Sequence, residues 1–158
     1  MSKTLVFILL ILHFKALPQA PAQIIPDFEF FRFEGSQFSN KDLSHGKKII
    51  FLFFDADCDH CHRAIENINK NYKSFSHISV YLVSMDDQQK MNDVLKRYGP
   101  ELKKQKNVLL LEDRNKQFIS KFNPRRYPSM YLYSAENKLV DYEDNEETVY
   151  RIMKFITE

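Results

Sequence analysis

The chain has 158 residues, of which 44% are hydrophobic, so it suits one folded domain and is too apolar for an intrinsically disordered chain. Two of its 23 basic residues, and none of its 21 acidic ones, lie within the first 22 positions. The remainder is balanced in charge, so we expect no nucleic-acid partner.

The N-terminal segment has the pattern of an export signal. A lysine precedes a short apolar run over residues 4–12, and Ala20-Pro21-Ala22 supplies small residues for cleavage after Ala22. The run is shorter than the roughly 20 residues that cross a bilayer, so no stable membrane span should remain after cleavage. We predict a signal peptide over residues 1–22, a domain over residues 23–158, and export to the periplasm or cell envelope. An uncleaved N-terminal anchor is the alternative.

The next segment predicts a hairpin, a short helical turn and one strong strand. These are a strand over residues 28–33 that turns at Gly35 and returns at residues 37–38, a turn over residues 40–43 capped by Asn40, and a strand over residues 48–54. The last of these is a continuous run of β-branched and aromatic residues, which is typical of a strand buried on both faces.

The two cysteines, Cys58 and Cys61, follow that strand directly and are the only cysteines in the sequence. A structural disulfide framework would need more cysteines at wider spacing. A C-x-x-C pair in an exported protein therefore indicates redox chemistry, metal binding or cofactor attachment.

The rest of the chain alternates between helices and strands. The first predicted helix has the apolar stripe Ile65, Ile68, Tyr72 and Phe75, and a strand over residues 78–83 follows it. The next helix is capped by Asp86 or Asp87, and Gly99-Pro100 ends it after about Tyr98. The remaining elements are a strand over residues 107–111, a helix over residues 115–122, strands over residues 129–133 and 138–142, and a helix over residues 145–157. This order predicts an α/β fold with a central mixed sheet, helices on both faces and an N-terminal β-hairpin.

The position of the cysteines favours thiol chemistry. The N-terminus of a helix offers unpaired N–H groups and the positive end of the helix dipole, and both stabilise a thiolate at Cys58. Cys61 lies one turn further along the helix, where it is close enough to attack a mixed disulfide at Cys58.

Several features together resemble TlpA-like members of the thioredoxin superfamily. They are the order of elements, the C-x-x-C at a strand–helix junction, the opening Pro26-Asp27-Phe28 with Gly35 before the hairpin, and Tyr127-Pro128 at the start of a strand. The resemblance covers residues 24–158. It implies a thioredoxin-like fold in which Pro128 follows a cis peptide bond and packs against the active-site disulfide.

The resemblance also implies a function. Cys58 would attack the disulfide of a partner protein, Cys61 would resolve the mixed disulfide, and Tyr127 and Pro128 would dock the extended partner chain. The partners would be protein thiols and disulfides and a redox partner protein, no cofactor would be needed, and we expect a monomer.

The chain departs from thioredoxins beside the cysteines. Asp57 replaces the tryptophan before the first cysteine, Asp59-His60 replaces Gly-Pro, and Leu52 stands where thioredoxins have a buried carboxylate. A protonated His60 would favour the thiolate, whereas Asp57 and Asp59 would repel it. The direction of exchange therefore stays open. We expect Asp59 to cap the helix.

Two other kinds of site compete with dithiol exchange, and a third, the peroxidase site, is set aside because its pattern is not matched. Cys58 and Cys61 with His60 and His62 could bind copper or zinc, as in a thioredoxin-like metal chaperone. The sequence does not indicate which of these side chains would act as ligands, so we predict no metal site. The same run satisfies the C-x-x-C-H pattern of c-type haem attachment. The superfamily's peroxidases end a Pro-x-x-x-Thr-x-x-Cys pattern at their reactive cysteine, and here Phe51 and Asp55 occupy its proline and threonine positions.

Overall fold

The protein is described by a computed structural model that covers residues 20–146 and 149–157. Residues 1–19 of the predicted signal peptide lie outside the described residues. Within the described ranges, no helix is both long enough and apolar enough to cross a membrane.

The elements follow the predicted order along the chain. They are β1 (Glu29–Phe31), β2 (Gln37–Ser39), β3 (Ile49–Phe53), α1 (Asp59–Lys70), β4 (Ser79–Ser84), α2 (Gln88–Tyr98), β5 (Val108–Glu112), α3 (Gln117–Phe122), β6 (Ser129–Tyr133), β7 (Leu139–Glu143) and α4 (Val149–Thr157). Short 3-10 turns lie at Asn40–Asp42, Tyr72–Phe75 and Leu102–Lys104.

The strands form one mixed sheet in the order β2-β1-β5-β4-β3-β6-β7. β3, β4 and β5 are parallel, and β6 runs antiparallel to β3 with Ser129 opposite Phe53. The residues that follow β3 and those that precede β6 therefore meet at one end of the sheet. The predicted mixed sheet and hairpin are confirmed.

The two faces of the sheet are packed by different side chains. Alternate residues of β3 point to opposite faces, so Ile50 and Leu52 contact aliphatic residues of α1, α2 and α4. Phe51 and Phe53 point the other way, into an aromatic cluster with the β1–β2 hairpin and α3. The predicted helices on both faces are thus confirmed.

The aromatic face is held by stacked rings. Phe118 of α3 stacks on Phe53 with ring centroids 4.3 Å apart and on Phe122 at 4.1 Å. Each buried ring contributes roughly 1.5–3 kcal/mol through removal of apolar surface from water. The packing of these rings therefore stabilises the end of β3, which leads directly into the loop that carries Cys58.

The helix predicted to carry Tyr72 and Phe75 is shorter than expected. α1 ends at Lys70, and these two residues belong to a separate 3-10 turn. The Asn71 side chain donates to the carbonyl of Asn67 at 2.8 Å, and the Asn71 N–H donates to Ile68 at 3.1 Å. An asparagine that bonds to backbone carbonyls at a helix end tightens the last turn, which the apolar stripe alone could not reveal.

The predicted Asn40 cap is also wrong. Ser39 is the N-cap residue of the short turn, and its N–H donates to the carboxylate of Asp42 at 2.9 Å. The Asn40 side chain instead accepts from the N–H of Phe28 and donates to the carbonyl of Pro26, both at 3.0 Å. Asn40 therefore stabilises the segment before β1. These hydrogen bonds join residues that are far apart in sequence, so a local sequence pattern does not predict them.

The described chain is bonded to the domain from Ala22 onward. The Ala22 N–H donates to the carbonyl of Phe122, and the hydroxyl of Tyr133 donates to the carbonyl of Ala22, both at 3.0 Å. Gln23 then accepts a hydrogen bond from Leu139 at 2.8 Å. Ala22, the last residue of the predicted leader, and Gln23 after it therefore lie along α3, β6 and β7.

Candidate active site

Cys58 and Cys61 lie at the junction between β3 and α1. Cys58 is the N-cap residue of α1, and its sulfur accepts the Cys61 N–H at 3.4 Å. The Cys58 N–H donates to the carbonyl of Asp55 at 3.3 Å, so a tight turn connects strand and helix. The predicted placement at a strand–helix junction is confirmed.

The two thiols differ in exposure. Cys58 is half-buried and reachable from solvent, whereas Cys61 is fully buried in the aliphatic core. Burial raises the pKa of the Cys61 thiol strongly, and the neighbouring Cys58 and Asp55 raise it further, against an opposing hydrogen bond from the Asp55 N–H. The arrangement presents one accessible sulfur above a second that can be reached only from inside the protein.

Asp59 does not cap α1. It is the first residue of the helix, and its side chain is 86% exposed. A residue within the first turn has helical backbone angles, so its side chain does not reach the free N–H groups as an N-cap side chain does. The cap position belongs to the sulfur of Cys58, and the Asp59 carboxylate lies 3.6 Å from Nδ1 of His62.

Asp57, the residue in place of the thioredoxin tryptophan, pairs with a lysine of α2. Its carboxylate contacts Nζ of Lys90, which also lies 3.5 Å from Asp86. The hydrogen bond to Asp57 is the largest cause of a raised Lys90 pKa. The negative charge that was expected to repel the Cys58 thiolate is therefore accompanied by a positive one.

His60 interacts with a residue far along the chain. Its Nδ1 contacts the carboxylate of Glu146, which also accepts two hydrogen bonds from Arg63 at 2.9 and 3.0 Å. The hydrogen bond from Arg63 is the largest cause of a lowered pKa at Glu146. The structure thus gives His60, whose side chain is 64% exposed, an acidic partner that the sequence did not reveal.

The peptide bond between Tyr127 and Pro128 is cis, as the resemblance implied. Both residues line a groove of about 250 Å³ that runs to His60 and Glu146. Burial, with the nearby charges of Asp55 and Cys61, raises the pKa of the Tyr127 hydroxyl to about 12. The groove joins the first turn of α1 to the segment before β6.

The two arginines before Tyr127 both contact an acid. Arg125 lies 2.9 Å and Arg126 lies 3.5 Å from the carboxylate of Asp144. Their side chains are nevertheless 53% and 70% exposed, and Arg126 lines the groove.

Sequence reasoning missed a support of the cysteine loop. Asp86 was weighed as a helix cap, but Asp87 fills that role by accepting the Lys90 N–H at 2.9 Å. The Asp86 carboxylate instead accepts the N–H of Ala56 at 2.8 Å and the hydroxyl of Ser84 at 2.9 Å. It therefore ties the end of β4 to the loop that carries Cys58.

The histidine after the second cysteine is engaged within the domain. Nε2 of His62 donates to the carbonyl of Ala56 at 2.8 Å, and the ring stacks on Tyr98 with centroids 4.1 Å apart. Among the described residues, no group of three or more His, Cys, Asp and Glu side chains is arranged to hold a metal ion. Leu52, at the position of the thioredoxin carboxylate, is fully buried in the aliphatic core.

Comparison with known proteins identifies the family of this chain. Residues 21–142 match the family model described as the AhpC/TSA family, which is more than half of the chain. The chain belongs to the AhpC/TSA family. This confirms the expected place in the thioredoxin superfamily. No curated protein matches the sequence closely enough to count as a relative.

Solved structures share the fold at low sequence identity. A thioredoxin domain of a thiol–disulfide oxidoreductase from Bacteroides vulgatus is 23% identical, with 87% of this chain and 99% of that chain covered and a TM-score of 0.68. A peroxidoxin from Mycobacterium tuberculosis is 14% identical over 87% and 96%, with a TM-score of 0.69. A secreted disulfide oxidoreductase from M. tuberculosis is 15% identical over 81% and 95%, with a TM-score of 0.65. The thioredoxin-like fold of this AhpC/TSA member is confirmed.

Proposed function

We propose that this AhpC/TSA member is an exported thiol–disulfide oxidoreductase of the TlpA-like type, which exchanges a dithiol for a disulfide with partner proteins. One observation carries the proposal. Cys58 is half-buried and caps α1 with its sulfur, 3.4 Å from the Cys61 nitrogen, and Cys61 lies buried beside it. An accessible sulfur at a helix N-terminus with a second thiol in reach is the arrangement that dithiol exchange requires.

The exchange has two steps, written here as reduction of a partner. The Cys58 thiolate attacks one sulfur of the partner disulfide, that bond breaks, and the partner's other sulfur leaves as a thiolate and takes up a proton. Cys61 then loses its proton and attacks the Cys58 sulfur. The Cys58–Cys61 disulfide forms, the partner leaves as a dithiol, and two electrons have moved to it. Oxidation of a partner is the reverse sequence.

The burial of Cys61 supports this order of events. A buried thiol with a raised pKa is a poor first nucleophile, because little of it is ionised and the partner cannot reach it. Once a mixed disulfide forms at Cys58, the same burial places Cys61 beside the bond to be broken. Cys58 therefore acts as the attacking sulfur and Cys61 as the resolving one.

The groove beside Pro128 suits an extended partner chain. It begins at His60 on the first turn of α1 and passes along Tyr127 and Pro128, so a peptide lying in it would run past the Cys58 end of the helix. Within the described chain, the backbone N–H and carbonyl of Tyr127 have no hydrogen-bond partner and can serve such a peptide. His60, Asp57 and Asp59 would then tune the charge around the reacting sulfurs.

The export part of the proposal rests on the leader-like residues 1–22. One similar structure is described as a secreted disulfide oxidoreductase, which is consistent with that location. We further propose that the exported protein is a monomer served by a separate redox partner protein. Fractionation of cells that express the full chain, with the N-terminus of the mature protein sequenced, would test both export and cleavage.

The central experiment is reduction of insulin disulfides by the purified protein with dithiothreitol as electron source. Cys58→Ser should lower the catalysed rate to the uncatalysed background, and Cys61→Ser should accumulate a mixed disulfide visible by mass spectrometry. Asp93→Asn, which removes an exposed negative charge outside the cysteine motif, is the matched control and should keep catalysis. A Cys58→Ser protein with the wild-type rate would refute the proposal.

Peroxide reduction is the activity from which the proposal must be separated, because a peroxidoxin shares the fold. In the peroxidase pattern a threonine hydroxyl activates the reactive cysteine. The residue at that position here is Asp55, whose carboxylate accepts the Asp57 N–H at 2.8 Å and offers no hydroxyl. We expect hydrogen peroxide consumption to be far slower than disulfide exchange, and the opposite ranking would favour a peroxidase.

A further inference from the structure

A second cavity lies at the end of the sheet opposite the cysteines. It has a volume of about 590 Å³ and is lined by residues that precede or begin the parallel strands: Lys47 before β3, Ser79 at the start of β4, and Lys106 and Asn107 before β5. Lys104 also lines it, and no carboxylate does. Its chemistry is therefore basic and rich in hydrogen-bond donors, unlike the acidic surroundings of Cys58.

The positive charge of this cavity is only partly neutralised. Lys104 pairs with Glu101 at 2.7 Å. Lys47 and Lys106 have no ion pair or side-chain hydrogen bond with any described residue. Cations that share one cavity without counter-charges repel each other, and a bound anion would relieve that repulsion.

An unpaired hydroxyl in the wall of the cavity supplies a second and independent indication of a ligand. Ser79 lines the cavity and is only 4% exposed, yet its hydroxyl has no hydrogen-bond partner in the described part of the chain. Its backbone N–H is occupied by the carbonyl of Lys48 at 3.1 Å. The Ser79 oxygen is not among the fully buried unpaired side-chain atoms of the described residues, so its free donor opens into the cavity.

The wall around Ser79 is rigid. The side-chain amide of Asn107 donates to the carbonyls of Phe75 at 2.8 Å and Ile78 at 2.7 Å. These bonds fix the segment before β5 against the segment before β4. The backbone that carries Ser79 is therefore held in place before any ligand arrives, which lowers the entropy cost of binding.

We propose that this cavity binds a phosphate-bearing anion. Lys47 and Lys106 would meet its negative charge, and the Ser79 hydroxyl would donate to one of its oxygens. A multiply charged phosphate group matches several cations better than a single carboxylate does. This site is separate from the cysteines, so it stands whether or not the proposed redox function does.

Binding can be measured by calorimetry on the purified full chain with inorganic pyrophosphate as the probe. Lys47→Gln/Lys106→Gln should weaken binding by roughly tenfold or more, because charge-assisted hydrogen bonds are lost. Ser79→Ala should weaken it by a smaller factor. Lys96→Gln/Lys116→Gln removes the same charge outside the cavity and should leave binding within about twofold of wild type.

A second arm distinguishes a soluble phosphate from a lipid headgroup. Vesicles containing phosphatidylglycerol are compared with vesicles of phosphatidylcholine alone, with both double variants. Pyrophosphate binding that depends on Lys47 and Lys106 supports a soluble ligand, and vesicle binding with the same dependence supports a headgroup. Absence of both, or equal weakening by the two double variants, overturns the proposal. Circular dichroism of each variant ensures that lost binding is not lost folding.

Discussion

The two ends of the central sheet carry charge in different ways. At the cysteine end, the acids are bonded to backbone N–H groups: Asp86 holds Ala56, and Asp113 holds Gln117 and Phe118 of α3 at 2.9 and 2.8 Å. At the opposite end, Lys47 and Lys106 have no such partners among the described residues. The acids thus support the loops around the thiols, whereas the lysines are available to something outside the chain.

The largest difference should appear between the two cysteines. At pH 8, Cys58 in Cys61→Ser should react with iodoacetamide at least about a hundredfold faster than Cys61 in Cys58→Ser, because burial raises the Cys61 pKa and blocks the reagent. Below that raised pKa, the Cys61 rate should keep rising with pH. Mass spectrometry gives both rates, and in urea they should converge. Equal rates in the folded proteins would contradict the asymmetry.

The support given by Asp86 should be visible as stability. Asp86→Ala removes a carboxylate that accepts from Ala56 and Ser84 and leaves both donors unpaired, so we expect a loss of about 2 kcal/mol in the free energy of unfolding. Urea denaturation measures it. Asp93→Ala, an exposed acid paired with Lys96, is the matched control and should unfold close to wild type. The comparison fails if both variants lose the same stability.

Asp113 should make stability depend on pH to a smaller extent. Burial raises its pKa above the ordinary 3.8, against the opposing N–H groups of Phe118 and Gln117. The folded state then binds the proton more tightly than the unfolded state does, so this contribution to stability is present below about pH 3.8 and is lost as pH rises through the folded pKa. Urea midpoints of wild type and Asp113→Asn across this range should show that the slope disappears in the variant.

Substitution of Asp55 should change the alkylation rate of the resolving cysteine, Cys61, by a few-fold only. Its charge is one of the weaker causes of the raised Cys61 pKa, and an asparagine can still accept the Asp57 N–H. Asp55→Asn in a Cys58→Ser background should therefore lower the Cys61 pKa and speed its alkylation about two- to fivefold. Alkylation rates across pH 8–11 measure the change. Slower alkylation would show that Asp55 favours the thiolate.

The smallest effect on exchange should come from the basic end. Lys47→Gln/Lys106→Gln lies at the opposite end of the sheet from Cys58, and surface charges at that distance are screened by salt. The rate of insulin reduction should stay within about twofold of wild type. The free energy of unfolding should be unchanged or slightly larger, because repulsion between the two lysines is removed. A large loss of exchange would mean that the two ends are coupled.

Much of the fold was predictable because its signals are local. The apolar run that became β3, the alternation of helices and strands, and the stop at Gly99 depend on neighbouring residues alone. Corrections arose where a side chain bonded to the backbone instead of following its periodicity, as Asn71 does at the end of α1. A hydrophobic pattern does not record such bonds.

The sequence by itself determined the thioredoxin-like architecture and the position of Cys58 and Cys61, since strand, cap and helix are set within a few residues of one another. Only the tertiary structure decided which thiol is buried and which acid serves which loop. It alone brought Glu146 to His60, 86 positions away, and gathered unpaired lysines around Ser79. Burial and ion pairing depend on which elements pack together, and that information is not carried by any one segment.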